Sequence, residues 1–72
     1  MASNAEEVFY GVIKVYYPLK GFGFITRTKG RDIFFFRTAF TDETLILEGN
    51  AVKFRIEKGD NGLRAIQVTR NG

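Results

Sequence analysis

The chain has 72 residues and a formal net charge of +3, which is enough sequence for a single domain. It contains no Cys and no His, so disulfides, thiolate metal sites and histidine catalysis are excluded, and no metal, cofactor or small-molecule substrate is expected. It has neither a signal-peptide pattern nor an apolar run of roughly 18 residues, which predicts a cytoplasmic protein without a membrane partner.

Five short runs rich in β-branched and aromatic residues follow a polar, frayed arm over residues 1–7. The predicted strands are Val8–Tyr17, Gly21–Thr28, Asp32–Arg37, Ala51–Lys58 and Leu63–Arg70. Turn residues separate them, and the strongest turn signal is Gly59-Asp60-Asn61-Gly62. The segment Thr38–Asn50 connects the third and fourth strands and has the composition for one helical turn between Thr41 and Leu47.

A closed barrel is the expected arrangement, because closure removes exposed strand edges in a domain too small for two covered sheets. In strand four, Val52, Phe54 and Ile56 alternate with charged residues, so one face is apolar and the other is solvated. Strand five repeats this less regularly, and its expected core residues are Leu63, Ala65 or Ile66, and Val68. The sequence therefore predicts one all-β domain over residues 8–72.

Strands two and three carry five of the eight phenylalanines. Because side chains alternate across a strand, one set of residues faces outward and the other faces the core. The outward set is Phe22, Phe24, Phe34 and Phe36. The inward set is Ile25, Ile33 and Phe35, which fill a small barrel better than five phenylalanines would. A one-residue slip or a bulge would reverse this assignment and bury the outward rings.

Positive charge coincides with these rings, since residues 14–37 hold six of the eleven basic residues and one acidic residue. Strand one adds Lys14 and Tyr16 to the ring face, because a lysine does not point into a barrel core. The basic residues expected around the rings are Lys14, Lys20, Arg27 and Arg37. Exposed rings stack on unpaired bases while lysine and arginine contact phosphates, so the pattern indicates single-stranded nucleic acid. The alternative is a basic surface that is merely solvated.

Two motifs resemble those of the cold-shock domain family. Lys20-Gly21-Phe22-Gly23-Phe24-Ile25 is similar to its first ribonucleoprotein-type motif. Asp32-Ile33-Phe34-Phe35-Phe36-Arg37 stands where the family has its second motif, typically Asp-Val-Phe-Val-His-Phe. The resemblance covers nearly the whole chain and implies an OB fold, a five-stranded antiparallel barrel that binds single-stranded RNA or DNA on strands one to three. It also implies an RNA chaperone or a regulator of transcription or translation.

The resemblance assigns roles residue by residue. It implies phosphate contacts for Lys14 and Lys20, and base stacking for Tyr16, Phe22, Phe24 and Phe34. Four residues on strands one and three depart from the family: Val15 replaces its Trp, Tyr17 its Asn, Phe36 its His and Arg37 its Phe. Tyr17 and Phe36 are candidates for replacing part of the lost stacking, and Arg37 for stacking or binding phosphate. Arg27 and Arg64 complete the predicted nucleic-acid-binding set.

The sequence leaves two other classes of function open. A barrel that lost the Trp and His positions could present its apolar patch to a protein partner or to a second copy, so the expected state is a monomer or a weak dimer. An enzyme would have to work through carboxylates alone. Asp32 and the other acids form no convincing pair, so no catalytic residue is predicted.

Overall fold

The computed structural model describes residues 7–60 and 62–71. The predicted N-terminal arm lies outside the described residues except for Glu7. No helix within the described part of the chain is long and apolar enough to cross a membrane.

Five strands form, each within one residue of its predicted bounds. They are β1 Phe9–Tyr17, β2 Phe22–Arg27, β3 Ile33–Phe36, β4 Ala51–Gly59 and β5 Gly62–Arg70. The connecting segment contains two short 3₁₀ helices, Arg37–Ala39 and Glu43–Leu45. The Asp42 carboxylate caps the second by accepting a hydrogen bond from the Thr44 N–H at 3.0 Å. The helical turn expected there is therefore confirmed as a 3₁₀ helix.

The strands close into a barrel in the order β1-β2-β3-β5-β4. Four of the pairings are antiparallel, whereas β3 and β5 run parallel, with Phe34 opposite Arg64 and Phe35 opposite Ala65. A closed ring with an odd number of strands cannot reverse direction at every interface, so one parallel pair is unavoidable. The five-stranded all-β barrel is confirmed, and β3 with β5 is the one pair that departs from the antiparallel arrangement expected.

The core lies inside the barrel and is entirely apolar among the described residues. It consists of Ile13, Ile25, Ile33, Phe35, Phe40, Ile46, Val52, Phe54, Ala65 and Val68. Ala65 and Val68 both face inward, although they are three residues apart, because the β4–β5 register shifts between them and Gln67 adopts a φ of 50°.

The assignment of Leu63 to the core is wrong, since this side chain is 52% exposed. It sits opposite Lys58 near the tip of the β4–β5 hairpin. The pairing of β3 with β5 begins only at Arg64, so Leu63 lies beyond the last residue that β3 covers. Strand alternation places a side chain inside only where another strand closes over it.

Gly23 brings β1, β2 and the core ring of Phe35 into close contact. A Cβ at this position would lie 2.3 Å from the Val15 carbonyl oxygen and 2.7 Å from Phe35 Cζ. No side chain larger than hydrogen fits without moving the backbone. The glycine between Phe22 and Phe24 therefore sets how tightly the ring-bearing strand packs on the barrel.

Candidate nucleic-acid interface

Four phenylalanine rings lie side by side on the outer face of β2 and β3. The register pairs Phe22 with Phe36 and Phe24 with Phe34. Phe36 is 44% exposed and the other three rings are half-buried. The alternate residues Gly23, Ile25, Ile33 and Phe35 are buried. The alternation predicted for these two strands is confirmed, so the rings face outward.

A fifth ring joins them from the end of β1, because Tyr17 packs against Phe22 with 5.4 Å between ring centroids. We call these five residues the ring cluster: Tyr17, Phe22, Phe24, Phe34 and Phe36. Neighbouring centroids are 4.6 to 6.3 Å apart, and the planes meet at 31 to 89°. These tilted and edge-to-face contacts hold the rings in place while leaving aromatic surface exposed to solvent.

A β-bulge at Lys14 decides which residues of β1 join this face. Ile13 pairs with Ile25, but Val15, two residues later, pairs with the next residue, Phe24. The extra residue reverses the alternation beyond it, so that Val15 and Tyr17 lie on the ring side and Tyr16 opposes the inward Gly23. Glu48 supports the bulge by accepting a hydrogen bond from the Tyr16 N–H at 3.2 Å.

The placement of Tyr16 on the ring face is therefore wrong. Its ring packs against the core, stacked on Phe35 with centroids 6.0 Å apart. Its hydroxyl donates a hydrogen bond to Glu43 at 3.1 Å. Partial burial and this hydrogen bond raise the pKa of Tyr16 above its ordinary value.

Arg37 meets the same carboxylate, with its guanidinium 3.7 Å from Glu43. Its side chain lies over Gly21, and the backbone N–H of Arg37 donates a hydrogen bond to the Gly21 carbonyl at 2.8 Å. The structure thus joins Arg37 to Tyr16 through Glu43 rather than placing it among the rings. Half of the Arg37 side chain is exposed, so the guanidinium stays accessible beside the start of β2.

The two predicted lysines lie at opposite ends of the ring face. Lys14 projects from the bulge and forms an ion pair with Asp32 at 2.8 Å. This hydrogen bond raises the pKa of Lys14 and lowers the pKa of Asp32. An ammonium group has three donors, so one bond to Asp32 leaves two for a phosphate. Lys20 is exposed beside the cluster, with Nζ 5.9 Å from the Tyr17 ring centroid.

The predicted set also includes Arg27 on β2 and Arg64 on β5, and only one of them lies beside the ring cluster. Arg27 pairs with Gly11 at the far end of β2, and its Nε donates to the Arg31 carbonyl at 2.6 Å. The prediction that it borders the rings is wrong, because β2 carries it away from them. Arg64 instead borders the cluster, and its Nε donates to Glu57 at 2.7 Å.

Sequence reasoning missed Leu63 as part of this surface. A groove of about 390 Å³ runs between the rings and the tip of the β4–β5 hairpin. Its lining consists of Phe24, Phe34, Phe36, Asp60, Gly62, Leu63 and Arg64. The glycine-rich turn before Leu63 is the signal that could have identified it, since a residue next to such a turn often extends past the barrel.

The sequence profile of the cold-shock DNA-binding domain matches residues 9–71, which span all five strands and the ring cluster. The chain belongs to the cold-shock domain family. It is thus a member of a nucleic-acid-binding family, and the resemblance read from the two motifs is confirmed.

Several curated relatives share most of its length. The Retron Se72 cold shock-like protein of Salmonella heidelberg is 36% identical over 63 residues, which cover 83% of this chain and 94% of the relative. Cold shock-like protein CspG of Shewanella violacea is 43% identical over 61 residues, which cover 81% of this chain and 87% of the relative. A cold shock-like protein of Thermotoga maritima is 37% identical over 60 residues, which cover 81% of this chain and 91% of the relative.

The fold also matches a solved structure. Drosophila Unr CSD456 superposes with a TM-score of 0.79 at 25% identity over 93% of this chain. The match covers 28% of that chain, so the present chain spans less than a third of its length. Family, fold and function class therefore agree for the cold-shock protein.

Proposed function

We propose that this cold-shock protein binds single-stranded RNA or DNA by stacking bases on the ring cluster and holding phosphates with the basic side chains at its edges. The observation that carries the proposal is a row of five adjoining rings on the outer face of the barrel, two of them exposed and three half-buried. Burying aromatic surface is the ordinary outcome of folding, and an exposed aromatic patch marks a contact surface.

Unpaired bases fit such a surface because every base has a flat face. Stacking on an aromatic side chain contributes roughly 1–3 kcal/mol per base, with little dependence on the base. Paired bases are already stacked inside a duplex and do not offer this face. The ring cluster therefore favours single strands over duplexes.

Lys14 and Lys20 supply the complementary charge. They lie at opposite ends of the ring face, so a strand crossing the rings brings phosphates near both. Each phosphate contact to a single strand steepens the dependence of log K on log salt by about 0.7. We expect Lys14 to contribute less than Lys20, because Asp32 already offsets part of its charge.

Tyr17 takes over part of the stacking surface that Val15 does not provide. Tyr17 is 43% exposed and extends the row of rings past Phe22, whereas Val15 lies opposite Phe24 with no ring of its own. The nearby Lys20 ammonium places a phosphate-binding group beside the added ring. The binding surface is accordingly displaced toward the end of β1.

Binding of this kind requires no catalytic residue. A protein that binds open strands and not paired ones shifts the equilibrium toward open strands by mass action. We propose that the chain acts in this way, mostly as a monomer in the cytoplasm, as an RNA chaperone or as a regulator of transcription or translation. Catalytic chemistry has no part in this proposal.

The test is a fluorescence-anisotropy titration of a labelled pyrimidine strand of about eight bases and its duplex. Phe22→Ala/Phe34→Ala removes two central rings, and Leu47→Ala, an exposed apolar residue outside the ring cluster, is the matched control. We expect the single strand to bind more tightly than the duplex, the double variant to lose about tenfold or more in affinity, and Leu47→Ala to bind like the wild type.

Circular dichroism establishes that each variant is folded before binding is compared. A folded wild-type protein that binds neither strand at low salt would refute the proposal. The ring cluster would then be assigned to a protein partner or to self-association, which sedimentation of the wild type and the double variant would distinguish.

A further inference from the structure

A second exposed aromatic surface lies on the outer face of β1, on the other side of Lys14 from the ring cluster. Tyr10 is 49% exposed and Val12 is 42% exposed. On β4, Lys53 lies opposite Tyr10 and Ala51 opposite Val12. We call Tyr10, Val12, Ala51 and Lys53 the Tyr10 face. It places a flat ring directly beside a lysine on an open sheet surface.

The surroundings of Tyr10 are basic. Two shallow grooves of about 380 and 230 Å³ flank it. Lys53 and Arg55 line the first, and Arg27 and Lys29 line the second. No described residue lining either groove is acidic. Lys53, Arg27 and Lys29 place positive charge on both sides of one exposed ring, and such a surface attracts a polyanion.

The Tyr10 face is continuous with the ring cluster. Val12 pairs with Thr26, Lys14 projects from the bulge, and Val15 pairs with Phe24. Outward side chains of β1 thus run from Tyr17 to Tyr10, a length of roughly 23 Å at the usual rise per residue. A strand that crosses the rings toward Lys14 meets the Tyr10 face next, without leaving the sheet.

We propose that the Tyr10 face is a second contact surface for the same single strand, with Tyr10 contacting a base and Lys53 a phosphate. The inference rests on the proposed function, because the strand must first occupy the ring cluster. Charge complementarity and this continuity favour nucleic acid over a second copy of the chain. The consequence is a binding site longer than the ring cluster itself.

The experiment compares pyrimidine oligonucleotides of about 6 and about 14 bases in the same anisotropy assay. A longer strand offers more binding positions, so the ratio of the two affinities is compared between proteins and not read alone. We expect Tyr10→Ala/Lys53→Ala to weaken binding of the long strand about tenfold and to leave the short strand unchanged. For this variant, the slope of log K against log salt with the long strand should also become shallower by about 0.7.

Tyr10→Phe/Lys53→Arg is the conservative control, because it keeps the ring and the charge, and it should bind both strands like the wild type. Equal weakening of both strands by Tyr10→Ala/Lys53→Ala, or no weakening of either, would overturn the inference. A wild-type dimer that this variant dissociates would overturn it too, since the face would then join two copies. If the wild type binds both the long and the short strand poorly, the result refutes the proposed function, and with it the inference that rests on it.

Discussion

Replacing Gly23 by Ala tests whether the close contact between β1, β2 and the core supports the ring-bearing face. The new methyl carbon would lie 2.3 Å from a backbone carbonyl oxygen and 2.7 Å from the Phe35 ring. Rotating a side chain cannot relieve the first overlap, because the Val15 carbonyl belongs to a paired strand. The two strands must separate locally.

The magnitude follows from these contacts. Overpacking a well-packed site typically costs about 1–3 kcal/mol, and a backbone overlap belongs at the upper end of that range. The restriction of the unfolded chain by Ala offsets about 0.5–1 kcal/mol. We therefore expect a net loss of about 2 kcal/mol. A domain of this size has roughly 4–11 kcal/mol of stability, and the loss lowers Tm by roughly 8–16 °C.

Thermal and urea unfolding, followed by circular dichroism, measure this loss. Gly59→Ala is the matched control, because a Cβ there meets its nearest neighbour at 3.4 Å, an ordinary contact distance. We expect the control to unfold within about 0.5 kcal/mol of the wild type. A Gly23→Ala protein as stable as the control would refute the claim that this glycine is required by close packing.

Three further predictions concern single side chains. Val15→Trp places a ring opposite Phe24 on the ring face and should tighten single-strand binding about fivefold, measured by anisotropy; an unchanged affinity would contradict the placement of Val15. Gln67→Asn should raise stability by a few tenths to about 1 kcal/mol in urea unfolding, because Asn tolerates the φ of 50° better than Gln; a loss would contradict strain at this bulge. Asp32→Asn should flatten the loss of stability in acid. The ion pair with Lys14 lowers the pKa of Asp32, so its stabilisation is present above the usual value of 3.8 and disappears as pH falls through the lower folded value. Unfolding midpoints measured from pH 6 down to pH 2 test this, and identical acid profiles for variant and wild type would count against it.

Local alternation was sufficient to predict β2 and β3. Their pairing is regular, so the period of two separates Phe22 and Phe34 from Phe35, and the small volume of the barrel core then assigns Phe35 inward. The strand bounds were also predictable from the sequence, because the β-branched and aromatic runs end at turn residues. The motif from Lys20 to Ile25 indicated the family from the sequence alone, because its residues are adjacent in the chain.

The side of the barrel that Tyr16 faces could not be read from the sequence. It depends on the extra residue at Lys14, and that bulge is supported by Glu48, which lies more than thirty residues away. A period of two predicts the wrong face for every residue after an unseen bulge. Because of this bulge, Tyr17 belongs to the ring cluster and Tyr16 packs against the core.

Length, together with the order of strand-forming runs and turn residues, determined a small all-β domain with a basic aromatic segment, and the motifs determined its family. Only the tertiary structure decided that β3 and β5 run parallel, that Leu63 borders the rings, and that Arg27 lies beside Tyr10 instead. Alternation, turns and motifs are properties of neighbouring residues. Barrel closure, bulges and the end of strand coverage depend on partners distant in sequence, so they become visible only when the chain is folded.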